Sequence, residues 1–227
     1  MDAATRRDVP FVIAAAGRGS RLGFGIPKCL VEVGGRTILE HQLDLLVGCQ
    51  DVRVVVGYRA DDVRALIARL DRRVRVVENH EWETTNTLAS LDLATRDVTS
   101  RCVIVDGDLV IDPDDFERFL AIAGEGPDAC IAATPAGTED GVFVEFAADP
   151  DAHGRATVTE FRRAPATGYE WSGLALVHAS SLRVRDGWVF SALEPGLPLR
   201  AGVVRAWEID TVADLGRAEA ALRARVG

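Results

Sequence analysis

Lysine and cysteine are scarce in this sequence of 227 residues, and it has no long apolar runs. The four cysteines lie far apart without a Cys-x-x-Cys pair, which argues against a zinc site and predicts free, buried thiols. No run of apolar residues approaches the roughly 18 that a membrane span requires. Residues 1–8 are polar and do not resemble a signal peptide. We therefore expect a cytoplasmic protein with no membrane partner.

The sequence also lacks an excess of basic residues. Its net charge is −9, whereas proteins that grip nucleic acid through a broad surface are basic. We therefore expect small-molecule substrates and no nucleic acid among the partners. The composition leaves the oligomeric state open.

Lys28 is the only lysine among 26 basic residues. Every other cation of the chain is an arginine, which differs from lysine in size, hydration and hydrogen-bonding geometry. A lysine retained at a single position therefore indicates a site that requires a compact ammonium group.

Buried strands alternate with amphipathic helices in the first half of the chain. The apolar runs predict strands over residues 9–15, 52–58, 74–77, 102–105 and 129–133. Helices are expected from a capping box at Thr37, over 61–70 and 86–94, and from Pro113. This order predicts an α/β fold with a Rossmann-like, mostly parallel sheet flanked by helices.

The pattern changes from about residue 141. Short strands separated by polar loops are predicted over residues 142–146, 157–161 and 174–177, followed by a strand over 203–207 and a helix over 212–226. The short connections fit a small antiparallel extension of the sheet. We expect a single domain over residues 1–227.

A glycine-containing loop follows the first strand. Small residues at such a position let backbone N–H groups approach phosphate oxygens, so the candidate nucleotide-binding residues are Ala15, Ala16, Gly17, Arg18, Gly19 and Ser20. The loop lacks the Gly-Lys-Ser/Thr end of a P-loop and the third glycine of a dinucleotide-binding loop. Arg21 and Lys28 add cations suited to a triphosphate and are the candidate catalytic residues.

Acidic residues follow two later strands. Asp106, Gly107 and Asp108 come directly after the strand over 102–105, and Asp210 follows the late strand. Ligands of open α/β sheets bind at the carboxyl ends of strands, and carboxylates with phosphate oxygens are the ligands that Mg²⁺ prefers.

The segments Ala-Ala-Gly-x-Gly-Ser-Arg (15–21) and Pro-Lys-x-Leu (27–30) resemble the signature of the sugar-phosphate nucleotidyltransferase superfamily. The resemblance implies the nucleotide-diphospho-sugar transferase fold, with an NTP and Mg²⁺ bound over the carboxyl ends of the sheet. It implies phosphate contacts from Arg21 and Lys28, and metal binding by Asp108 and Asp210. Asp106 and Gly107 are further candidates for the nucleotide site, with Asp106 either supporting that site or forming a hydrogen-bonded turn.

The segment Asn86-Thr87-x-x-Ser90-Leu91 is similar to one in bacterial phosphocholine and phosphonate cytidylyltransferases. It makes Asn86, Thr87 and Ser90 candidates for reading the base or ribose, and it favours CTP, with UTP second. Simple helix capping by Asn86 or its neighbour is the alternative. The family division implies a nucleotide-binding half over about 9–133, an acceptor half over about 134–211 and a closing helix over 212–227.

The acceptor half offers two kinds of binding group. Glu170 and Trp171, with other aromatic residues of this half, would form a cage for a choline-like cation. Arg162, with Arg163 and Arg18, would instead grip an anionic phosphonate. Core packing of the aromatics and a solvated strand end for the arginines are the structural alternatives. Glu170, Trp171 and Arg162 are the candidate acceptor-binding residues.

The function predicted is that of a Mg²⁺-dependent cytidylyltransferase. It would transfer CMP from CTP to a small phosphorylated alcohol or phosphonate and release pyrophosphate. One alternative is a sugar-1-phosphate uridylyl- or guanylyltransferase. Another is a nucleotide-binding regulator without catalysis, and the loop chemistry disfavours a nicotinamide oxidoreductase.

Overall fold

The structure is a computed structural model that describes residues 8–19, 23–138, 141–183 and 187–226. Strands and helices alternate through the first half of the chain. The strands are β1 (Phe11–Ala15), β2 (Glu32–Val33), β3 (Arg36–Thr37), β4 (Val52–Val56), β5 (Arg75–Glu78), β6 (Arg101–Asp106), β7 (Leu109–Ile111), β8 (Cys130–Pro135), β9 (Phe143–Phe146), β10 (Arg155–Arg162), β11 (Tyr169–His178), β12 (Leu199–Val203) and β13 (Ala206–Glu208). The helices are α1 (Ile38–Leu45), α2 (Ala60–Arg69), α3 (Thr87–Thr95), α4 (Pro113–Gly124), α5 (Val189–Leu193) and α6 (Val212–Val226).

A nine-stranded sheet in the order β5-β4-β1-β6-β11-β8-β12-β10-β9 runs through both halves of the chain. Strands β10 and β11 run antiparallel to their neighbours, and the other strands all point the same way. The predicted α/β fold with a mostly parallel sheet is therefore confirmed.

The side chains of β1 point alternately to the two faces of this sheet. Phe11 and Ile13 pack in one core with residues of α1, α2 and α4. Val12 packs in a second core with residues of α3 and α5. A strand buried on both faces reads as a continuous apolar run, which is the pattern that predicted it.

Helix α1 begins at the predicted capping box. The Thr37 hydroxyl accepts a hydrogen bond from the Glu40 N–H, and the Thr37 N–H donates to Glu40 Oε2 at 2.8 Å. None of the helices within the described residues has the length and apolarity to cross a bilayer.

The position of β11 differs from the expected extension at the sheet edge. Strands β9 and β10 do lie at the edge, but β11 inserts between β6 and β8. Residues 174–177 of β11 are fully buried. A strand that is apolar on both faces is stabilised by a neighbour on each side and by cover above and below, so it lies inside the sheet.

The predicted strand over 203–207 is two strands. Strand β12 pairs parallel to β8 in the main sheet, and β13 pairs antiparallel to β7 in a separate two-stranded sheet. This pairing places Glu208 opposite Leu109. It therefore brings the chain after β13 beside the turn that joins β6 to β7.

Candidate active site

The glycine loop after β1 lies against Lys28. Gly19 has a φ of 63°, and a Cβ at this position would collide with the Lys28 side chain, so only glycine fits. Gly17, Gly19, Ala15 and Lys28 line one cavity of about 320 Å³. The sequence-predicted Ser20 and Arg21 lie outside the described residues.

Two other loop residues make contacts away from this cavity. The Ala16 carbonyl accepts a hydrogen bond from the Tyr58 N–H at 2.9 Å, and its side chain is buried. The Arg18 guanidinium stacks over the Tyr58 ring at 5.7 Å from the ring centre. These residues connect the loop to the end of β4.

Asp106 ends β6, and Gly107 and Asp108 form the turn into β7. The Gly107 N–H donates to the Ala14 carbonyl at 3.0 Å, and a Cβ on Gly107 would lie 2.6 Å from that oxygen. Glycine is therefore required for the close approach of this turn to β1. Asp106, Gly107 and Asp108 all line the same cavity as the glycine loop.

Glu208 and Asp210 reach the turn from the other side. Ile209 between them is fully buried, and its N–H donates to the Asp108 carbonyl at 2.9 Å. Carboxylate oxygens of Asp108, Glu208 and Asp210 lie within 4.8 Å of one another. Three converging carboxylates are a ligand set suited to a hard divalent cation.

Lys28 binds two of these three acids. Its Nζ lies 2.7 Å from Asp108 Oδ2 and also donates to Asp210 Oδ1. Burial by itself lowers the pKa of Lys28, but the two carboxylates outweigh it and raise the pKa above its ordinary value. The only lysine of the chain is therefore a fixed positive charge at the acidic cluster.

The same crowding shifts the acids. Burial and the nearby Asp108 carboxylate raise the pKa of Asp106 to about 8. Enclosure within the cleft and the carboxylates of Asp108 and Asp210 raise the pKa of Glu208 to about 8. The neighbouring carboxylates create a negative potential, which raises the pKa of each of these two acids and also attracts cations.

A second cavity, of about 260 Å³, adjoins the first. The two share the residues Thr87, Asp106, Glu208 and Asp210. The remaining wall of the second cavity comes from the start of α3, β11, the segment around α5, the loop before β9 and the residue after β10. It includes Asn86, Arg163, Glu170, Trp171, Trp188 and Phe190. A molecule in this cavity would therefore reach the acidic cluster.

Arg162 lies outside the second cavity, and its neighbour Arg163 lies at it. The Arg162 guanidinium pairs with Glu160 and Glu145, and the residue does not line the second cavity. Arg163 lines it instead, with its guanidinium 5.2 Å from the ring centre of Trp188 and 5.4 Å from that of Phe190. Arg162 is the last residue of β10, and Arg163 is the first residue beyond it, where the chain bends.

Glu170 lines the cavity but is engaged by the neighbouring loop. Its Oε1 accepts a hydrogen bond from the Gly137 N–H at 3.2 Å, and its Oε2 accepts one from the Thr138 hydroxyl. The predicted aromatic cage is only partly assembled: Trp171 and Trp188 line this cavity, whereas Trp207 lines a different one.

The three α3 residues predicted to read the base take different positions. Asn86 caps α3, since its Oδ1 accepts from the Ala89 N–H at 3.2 Å, and Thr87 lines both cavities. Ser90 is buried and accepts a hydrogen bond from Asn79 Nδ2 at 3.0 Å. The Ser90 hydroxyl is therefore engaged inside the protein, and the residue lines neither of the two cavities.

Residues 11–207 match the family of MobA-like NTP transferase domains. The chain belongs to this family. The resemblance to nucleotidyltransferases drawn from the glycine loop and the Pro-Lys segment is thereby confirmed.

One curated relative and two solved structures of similar fold have names that refer to CMP, CTP or UDP. CMP-5'-(3-aminopropyl)phosphonate synthase of Streptomyces rubellomurinus is 36% identical over 152 residues, which cover 61% of the chain and 24% of that relative. The match thus spans about a quarter of that relative's length. The structure of CTP:phosphocholine cytidylyltransferase from Streptococcus pneumoniae aligns with a TM-score of 0.70 at 20% identity, over 94% of this chain and 99% of that one. UDP-glucose pyrophosphorylase from Acinetobacter baumannii aligns with a TM-score of 0.74 at 13% identity, over 93% and 92%.

Sequence reasoning missed one acid of the acidic cluster. Glu208 lies two residues before Asp210, and the buried Ile209 separates them. An apolar residue between two acids at a strand end predicts that both acids face the same side. That alternation was the available signal.

Proposed function

We propose that this protein is a Mg²⁺-dependent cytidylyltransferase that transfers CMP from CTP to a small phosphorylated alcohol or phosphonate and releases pyrophosphate. The proposal rests on one observation above all. Lys28 and the carboxylates of Asp108, Glu208 and Asp210 converge between the glycine loop and an adjoining cavity that contains Arg163.

The three carboxylates fit Mg²⁺, which prefers oxygen ligands. Asp108, Glu208 and Asp210 would hold the ion. When bound, it supplies positive charge to phosphate oxygens that become more negative in the transition state.

The protein's own groups would position and neutralise the triphosphate. Backbone N–H groups at Gly17 and Gly19 would bind phosphate oxygens, since both residues line the cavity. Lys28 would stabilise the negative charge on the departing pyrophosphate, with Arg21 assisting by resemblance to the family. The acceptor oxygen is already anionic at neutral pH, so positioning is required more than proton transfer.

An anionic acceptor agrees with the groups around the second cavity. Arg163 places a positive charge there, 5.2 Å from the ring centre of Trp188. Glu170, the acid that a choline-like cation would need, is already bound by the loop residues Gly137 and Thr138. We infer that Arg163 holds the phosphate or phosphonate of the acceptor.

The preference for CTP is supported by the names of two relatives. One makes a CMP-phosphonate and the other is a CTP:phosphocholine cytidylyltransferase. A sugar-1-phosphate uridylyltransferase is the second candidate, since a UDP-glucose pyrophosphorylase has the same fold.

A pyrophosphate-release screen tests the proposal. The four ribonucleoside triphosphates are crossed with phosphocholine, several small phosphonates and common sugar-1-phosphates in the presence of Mg²⁺. We expect release with CTP and a small phosphonate or phosphorylated alcohol. Release with UTP and a sugar phosphate would favour the second candidate, and silence with every pair, alongside tight NTP binding, would favour a nucleotide-binding regulator.

A further inference from the structure

A buried glutamine on α1 holds the acidic turn from behind. Gln42 is 2% exposed, and its Nε2 donates to the Asp106 carbonyl at 2.7 Å and to the Leu109 carbonyl at 2.8 Å. These two carbonyls stand at the two ends of the turn that joins β6 to β7. A single side-chain amide therefore spans the turn that carries Asp108.

The orientation of the Gln42 amide follows from its partners. Both neighbouring atoms are carbonyl oxygens, which only accept, so the NH₂ group must face them. The other end of the amide, Oε1, is buried and has no hydrogen-bond partner within the described residues. An apolar side chain of the same shape would avoid that unsatisfied oxygen, so the value of a glutamine here lies in its contact with the turn.

The direction of the Asp108 carboxylate depends on the backbone of this turn. The Gly107 N–H fixes the turn to Ala14 on β1, and the Asp108 carbonyl accepts from the Ile209 N–H. Gln42 binds two further carbonyls of the turn, those of Asp106 and Leu109. Without the Gln42 amide, the backbone between Asp106 and Leu109 loses this restraint. We then expect the Asp108 carboxylate to turn relative to those of Glu208 and Asp210.

We propose that Gln42 is a positioning residue that sets the affinity of the acidic cluster for a divalent cation. It acts through the backbone on Asp108 and touches neither substrate nor metal. The inference rests on the proposed function, because the cation belongs to that function. Groups that orient metal ligands from behind typically change metal affinity or activity by about 10-fold to 100-fold.

Binding of Mn²⁺ alone, followed by electron paramagnetic resonance, tests this role. Gln42→Met preserves the length of the side chain and removes both donors. We expect its Mn²⁺ affinity to fall by about 10-fold to 100-fold. In pyrophosphate release, the half-saturating Mg²⁺ concentration should rise by a similar factor, with a smaller change in kcat at saturating Mg²⁺.

Leu43→Ala is the matched control. Leu43 is the next residue of α1 and is buried in the core. Its truncation should lower thermal stability and leave Mn²⁺ affinity unchanged. A fall in Mn²⁺ affinity equal to that of Gln42→Met would mean that loosening α1 is sufficient, and the proposal would be wrong.

Gln42→Asn serves if the methionine variant does not fold. It keeps an amide but is one methylene shorter, so it cannot reach both carbonyls, and we again expect weaker Mn²⁺ binding. Wild-type Mn²⁺ affinity in either folded variant would overturn the proposal, as would a wild-type protein that binds no Mn²⁺. Since Mn²⁺ binding needs no acceptor, a wild type that binds Mn²⁺ but releases no pyrophosphate would refute the proposed function and leave the inference on Gln42 standing.

Discussion

The two adjoining cavities are built by different parts of the polypeptide. The first depends on two glycines whose backbone is closely approached, Gly19 by the Lys28 side chain and Gly107 by the Ala14 carbonyl. The second is shaped by side chains, among them Arg163, Trp188 and Glu170. Backbone contacts of the first kind tolerate few residue types, whereas a side-chain wall changes with each substitution.

This difference indicates that the two cavities have different roles. We infer that the reaction takes place in the first cavity, at Lys28, and that the second cavity, around Arg163, determines which acceptor binds. Substitutions in the first cavity should then change the kinetics differently from substitutions in the second.

Asp210→Asn should have the largest effect. It removes one of the three converging carboxylates without changing the size of the side chain, and we expect turnover to fall on the order of 10³-fold. Thermal unfolding should show a folded protein. Asp61→Asn, which alters a fully exposed acid on α2, is the control and should retain wild-type turnover. Substantial turnover by Asp210→Asn would remove this residue from the site.

Substitution of Lys28 should follow closely. Lys28→Met removes the positive charge at Asp108 and Asp210 and should lower kcat about 10²-fold. Lys28→Arg keeps the charge, but the guanidinium is larger and planar and lies against Gly19, so we expect at least about a 10-fold loss. Steady-state kinetics distinguishes the two variants. Wild-type rates for the arginine variant would show that charge alone matters here.

Arg163 and Arg162 form a matched pair for the acceptor wall. Arg163→Met should raise KM for the acceptor about 10-fold to 100-fold, since a charge-assisted hydrogen bond contributes about 1.5–3 kcal/mol. KM for CTP should stay near its wild-type value. Arg162→Met should leave both KM values unchanged, because this arginine pairs with Glu160 outside the cavity. Equal effects of the two substitutions would contradict the assignment of Arg163.

Two glycine substitutions should give the smallest effects and compare the cavities directly. In Gly107→Ala the new methyl lies 2.6 Å from the Ala14 carbonyl oxygen, and backbone cannot move aside, so we expect a loss of about 1–3 kcal/mol in the free energy of unfolding. In Gly141→Ala the new methyl group meets the ends of the Thr138 and Glu170 side chains. These can rotate, and we expect less than about 1 kcal/mol. Urea unfolding measures both, and the reverse order would contradict the distinction.

The site residues that lie within or directly beside a short sequence motif could be predicted from the sequence. Gly17, Gly19 and Lys28 follow one strand, Asp108 follows another, and the carboxyl ends of parallel strands meet at one edge of a sheet. The structure does bring Lys28 to Asp108 and Asp210. Local order along the chain was sufficient for this part.

The remaining features depend on contacts that local patterns do not encode. The Gln42 amide reaches carbonyls more than 60 residues away, and β11 takes its place between β6 and β8 only once both exist. Ser90 was assigned to the base because its segment resembles a motif, whereas Asn79 binds it inside the protein. Arg163 lies just beyond the end of β10, so strand periodicity in the sequence does not fix the direction of its side chain.

The pairing of β13 with β7 has a consequence for the nascent chain on the ribosome. Asp108 is synthesised about 100 residues before Glu208 and Asp210, and Lys28 and the glycine loop about 180 to 190 residues before them. Until β13 has emerged and paired with β7, the acidic cluster is incomplete. A partly translated protein therefore lacks two of the three acids of the cation site that we propose.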